Sequence, residues 1–101
     1  MEDMNKKSED CVDESYGYSL DNPISVVSIG AAYFYLNMLR YNDRPIQFER
    51  IGSFSSSVAD FVDGYEIFTE EGGETVKVAT LYINSYAYEM SDKAPLGFTL
   101  L

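Results

Sequence analysis

The chain has 101 residues, with seventeen acidic against seven basic side chains, a formal charge of −10 at neutral pH, and no histidine. That length holds one hydrophobic core, and the charge opposes non-specific binding to nucleic acid or anionic lipid. Without histidine the commonest general base, the commonest metal ligand and every Ser-His or Cys-His nucleophile pair are excluded.

The hydrophobic content of 46% fits a globular protein, and the aromatic content of 15% is carried by nine Tyr and six Phe with no Trp. Tyrosine buries a ring and keeps a polar tip near water, which suits a surface made for a protein partner. The single Cys11 has no second cysteine for a disulfide and no neighbouring ligand for a metal, so it reads as a free thiol. No apolar window reaches the length of a membrane span, and the start MEDMNKKSED lacks the apolar core of a secretory signal. The expectation is a cytoplasmic protein, or an exported one if a signal has been removed ahead of Met1.

Residues 1–22 hold seven acids and two lysines among few apolar residues, a composition that predicts a flexible acidic tail. Within it Tyr16, Tyr18 and Leu20 alternate with small residues, so the last few positions could lie along the domain as an edge strand. Asn22-Pro23 marks the boundary of a single domain over 23–101, which opens with a short β-prone run through Ile24, Val26 and Val27.

Ser28 is placed to cap a helix predicted over Ile29–Tyr41, which ends before Pro45. At helical period Ile29, Ala32, Tyr33, Leu36 and Leu39 form the core stripe. The opposite side carries Ala31, Phe34, Met38 and Tyr41, so the helix is apolar nearly all round. From Ile46 to Phe54 the alternation shifts phase at Ile51-Gly52, as at a β-bulge.

The stretch Phe61–Tyr88 reads as one long hairpin, with strands over Tyr65–Glu70 and Val76–Tyr82 and a reversal at Gly72-Gly73, where positive φ is needed. In the second strand Val76, Val78, Thr80 and Tyr82 share one face, while Ala79, Leu81 and Ile83 share the other. Both faces are apolar, so each needs a cover. Ser91–Pro95 is turn-like, and Gly97–Leu101 could return as a last strand.

These elements predict an α+β fold in β-α-β-β-β order, one helix packed on a curled antiparallel sheet of about four strands. In element order this resembles the cystatin-like grasp; no motif accompanies the resemblance, so it implies an architecture and no function.

The leading functional expectation is a non-enzymatic protein-interaction module, such as an acidic inhibitor or immunity-like binder of a basic partner, with no cofactor and no metal. Its partner-binding residues are Phe34, Met38 and Tyr41, which would form a contiguous apolar patch if left wet. Glu70, Glu71 and Glu74 at the hairpin tip would steer the partner. Three covers suit the patch: the segment around Tyr16–Leu20, a second copy in a homodimer, or a different protein. Tyr82, Tyr86 and Tyr88 are either core or a recognition strip. Two alternatives stand beside this. One is a small-molecule pocket between helix and sheet lined by Tyr33, Phe48 and Tyr82. The other is a carboxylate hydrolase using acids among Glu49, Asp60, Asp63 and Glu66, which must face each other across a cleft.

Overall fold

Strong β-formers flank two turns of the same kind, and those turns organise the molecule. The computed structural model describes residues 13–101. Strand β1 (Ile24–Ser25) leads into helix α1 (Ile29–Met38), and the short strands β2 (Leu39–Tyr41) and β3 (Arg44–Pro45) follow. Then come β4 (Gln47–Phe54), β5 (Val62–Glu71), β6 (Glu74–Asn84) and the terminal β7 (Thr99–Leu100). Four strands form one sheet in the order β1-β6-β5-β4, and three form a second in the order β3-β2-β7. Among the described residues the result is an α+β fold with one helix and two sheets.

Three expectations are corrected. The large sheet is not wholly antiparallel, because β1 joins β6 in parallel through Ile24 and Ile83. The helix stops at Met38 rather than Tyr41. Asn42 and Asp43 adopt positive φ of 53° and 66° and join Tyr41 to Arg44 in a two-residue hairpin, so Leu39–Tyr41 is strand. That hairpin is extended by β7, which forms within the expected return at 97–101; the pairing of the two as a second sheet was not foreseen. The core stripe of α1 is also rotated: Ala32, Tyr35, Leu36 and Leu39 are buried, while Ile29 and Tyr33 are 47% and 41% exposed. Tyr35 turns inward because its hydroxyl finds a partner, donating to the Lys93 carbonyl at 2.5 Å.

Other local readings hold. Ser28 Oγ accepts from Ala31 N at 3.0 Å, capping α1. Gly72 and Gly73, at φ 58° and 84°, close the β5–β6 hairpin between Glu71 and Glu74. The register of β4 slips between Arg50 and Gly52, where the sequence changes phase. A second slip, opposite Ile67 and Phe68, inserts an extra residue into β6. It brings Val78 onto the core beside Ala79, so the face shared with Tyr82 is broken at that point.

The core lies between α1 and the inner face of the large sheet, where Ile24, Val26, Leu36, Leu39, Tyr65, Ile67, Leu81 and Ile83 are fully buried. On the outer face Phe54 sets its ring edge-on to Tyr82 at 6.0 Å over the bare backbone of Gly64. Phe54 and Ile51 stay 36% and 44% exposed there, so this face is covered by its own side chains rather than by a second layer.

Residues 1–12, including Cys11, lie outside the described residues, and with them most of the expected acidic tail. The remainder, 13–22, is a run of turns laid against the domain rather than an edge strand. Gly17 O accepts from Tyr82 N at 2.7 Å, Tyr18 donates to the Leu96 carbonyl at 2.5 Å, and Tyr16 shares a hydrogen bond with Ser91.

Candidate interaction surface

The residues expected to form the apolar patch do not stay together. Phe34 is 62% exposed, but Met38 and Tyr41 are half-buried by the end of their own chain. Leu101 N donates to the Met38 carbonyl at 2.8 Å, and the Tyr41 ring lies 5.4 Å from that of Phe98. The main cover is therefore the C-terminal return, which was not among the three considered. Tyr18 adds to it beside Tyr41: burial first, and then Tyr41, raise its hydroxyl above the ordinary phenol range.

Glu70, Glu71 and Glu74 are exposed at the hairpin tip. Glu70 accepts from Thr75 Oγ1 at 2.6 Å and Gln47 Nε2 at 3.0 Å, bonds that hold its carboxyl below the usual range. Glu70 thus ties neighbouring strands together as well as charging the tip.

Tyr33, Phe48 and Tyr82 line no common cavity. Tyr33 stacks on Phe48 at 5.9 Å, and both meet Tyr65 edge-on at 6.5 and 6.0 Å. Tyr82 lies on the other side of the sheet, because its neighbour Leu81 is the residue paired with Tyr65. Of the four carboxylates, two are brought side by side and two stand apart. Glu49 and Glu66 are cross-strand partners with Glu66 bound to Lys77 at 3.1 Å, Asp63 is buried, and Asp60 stands in the loop before β5.

Asp63, in β5 opposite Ser53 and Ile83, anchors a polar cluster. Its Oδ1 accepts from Ser53 Oγ at 2.8 Å and Arg50 at 3.2 Å, and Ser85 Oγ approaches Oδ2 at 3.4 Å. Close by, the Tyr65 hydroxyl is fully buried with no hydrogen-bond partner. Burial, then the Asp63 charge and Tyr33, push it up to about 12, with Arg50 opposing.

An exposed apolar surface lies where the hairpin ends. Asn84 Oδ1 accepts from Tyr86 N at 3.0 Å, turning the chain out of β6. Ser85 goes inward and Tyr86 and Tyr88 go outward, 66% and 101% exposed. Across from them the loop before β5 presents Val58 and Phe61, 57% and 62% exposed. Between these two walls runs an open groove of about 710 Å³, with Asp60 and Asn84 as polar members. Tyr86 and Tyr88 are thus surface, as one of the two readings of the tyrosine strip had it. Val58 and Phe61 carried no signal of their own, since only the return of the chain sets them opposite the tyrosines.

No family model, curated protein or solved structure matches this chain. Among the described residues no helix is long and apolar enough to cross a membrane.

Proposed function

We propose that the chain is a non-enzymatic protein-interaction module that takes a basic partner on the aromatic groove at the open end of its hairpin. The observation that supports this is the grouping of Val58, Phe61, Tyr86 and Tyr88, each more than half exposed, around one groove. Large apolar side chains held together in water mark an interface, because covering them regains the hydrophobic free energy that folding left unused. Tyrosine suits the task, giving rigid contact area with a polar tip.

The charge of −10 selects a basic partner and disfavours both nucleic acid and a second copy of the same chain. Of that total, residues 1–12 carry four acids against two lysines. An acidic inhibitor or an immunity-like binder is the biological form this takes.

Affinity capture from the source cell tests the proposal. The wild type and Phe34→Ala should retain the same basic protein in low salt and release it in high salt, while a Phe61→Ala/Tyr86→Ala/Tyr88→Ala variant should capture none. Loss of the partner on Phe34→Ala, with retention by the triple variant, would move the site to the helix and end this reading.

A further inference from the structure

Resting on that reading, we infer that the occupant of the groove is an extended, proline-rich segment carrying arginine or lysine. Tyr88 stands on the wall between two depressions, the groove of about 710 Å³ and a second of about 430 Å³ that also borders Met90 and Asp92. An extended chain laid over the Tyr88 ring would reach both depressions, since that residue borders each of them. A partner strand has no ladder to join here. Between β6 and β7 the chain forms no strand, and its Ala87 N and Ser91 N are bound to the Val26 and Ser25 carbonyls at 3.0 and 2.7 Å.

Polyproline II is the extended form that needs no ladder. It is ordered before binding, so docking costs it little entropy, its carbonyls are free to accept, and its rings pack on aromatic walls. The groove offers matching donors in the hydroxyls of Tyr86 and Tyr88 and in Asn84 Nδ2, the Asn84 oxygen being taken by Tyr86 N. The charge fits a basic residue between the prolines: Asp60, Glu89 and Asp92 line the two depressions against Lys93 alone.

Fluorescence anisotropy of a fluorescein-labelled peptide of Pro-Pro-Arg repeats tests this on the whole chain. Saturable binding that weakens with salt is expected, with Phe61→Ala and Tyr88→Ala each lowering affinity about tenfold. Both side chains are largely exposed, so the variants keep their fold. Equal binding of an Ala-Ala-Arg peptide would overturn the proline specificity while leaving the interaction reading intact. Equal binding of Pro-Pro-Gln would overturn the basic requirement. No binding of Pro-Pro-Arg, or binding indifferent to both substitutions, would overturn the inference, whereas the capture experiment judges the interaction reading separately.

Discussion

Replacing Tyr65 by Phe should stabilise this protein, against the usual direction of a core substitution. Tyr65 is 0% exposed, and its hydroxyl has no hydrogen-bond partner. A buried polar group without a partner costs about 1–3 kcal/mol in lost hydration, and Phe removes the oxygen while keeping the ring against Tyr33 and Phe48. Allowing for the small void left behind, the net gain is about 1 kcal/mol, which raises the melting temperature of a domain this size by roughly 4–8 °C. Tyr35→Phe is the internal control. Its hydroxyl donates to the Lys93 carbonyl, so the same chemical change should cost about 1 kcal/mol. Urea unfolding at neutral pH reads both signs. A pH series adds a second test. The Tyr65 hydroxyl is raised from 10.0 to about 12, so the fold favours its protonated form. That contribution is intact below the unfolded value and is lost as pH rises through the folded one. The wild type should therefore lose more stability than Tyr65→Phe between about pH 10 and 12. A Tyr65→Phe protein less stable than wild type would show that the hydroxyl has a partner, and would refute the reasoning.

Gly17→Ala should destabilise by about 2 kcal/mol, since φ is +81° and a Cβ would come within 2.8 Å of Pro95 Cγ; a neutral result in thermal unfolding would detach residues 13–22 from the fold. Asp43→Gly should stabilise by about 0.5–1 kcal/mol by relieving the positive φ in the β2–β3 turn, and a loss in chemical denaturation would refute the turn assignment. Glu70→Gln/Glu71→Gln/Glu74→Gln should slow association with a basic partner only at low ionic strength and leave dissociation unchanged, which stopped-flow mixing resolves.

Much of the fold was legible because local chemistry and tertiary structure agreed where it was strong. Ser28 can serve only as a cap ahead of an apolar helix, Gly72-Gly73 only as a reversal, and the broken alternation at Ile51-Gly52 registers as a bulge. What escaped depended on partners distant in sequence. An apolar helix has no stripe of its own, so its rotation was set by whether each tyrosine found a partner. Tyr35 found the Lys93 carbonyl and went in, while Tyr33 found the rings of Phe48 and Tyr65 and stayed at the margin. The last turn of the expected helix became strand because Thr99 and Leu100 return to pair with it, and nothing in Leu39–Tyr41 announces that. The patch of Phe34, Met38 and Tyr41 dissolved for the same reason, leaving Phe34 alone.

The two features that suggested an interaction protein therefore sit at opposite ends of one hairpin and act differently. From Val62 to Glu71 the strand rises about 30 Å. At physiological ionic strength charges are screened over about 8 Å, so the tip carboxylates are several screening lengths from anything seated in the groove. They bias encounter in dilute salt and add little to a complex once formed. On the proposed reading the residence of a partner would come from Phe61, Tyr86 and Tyr88, whose exposed rings offer contact area, and from Asp60 among them. Acidity and aromaticity, which the composition presents as one property, are thus separated by the fold: on the proposed reading the first would govern how fast a basic partner arrives, and the second how long it stays.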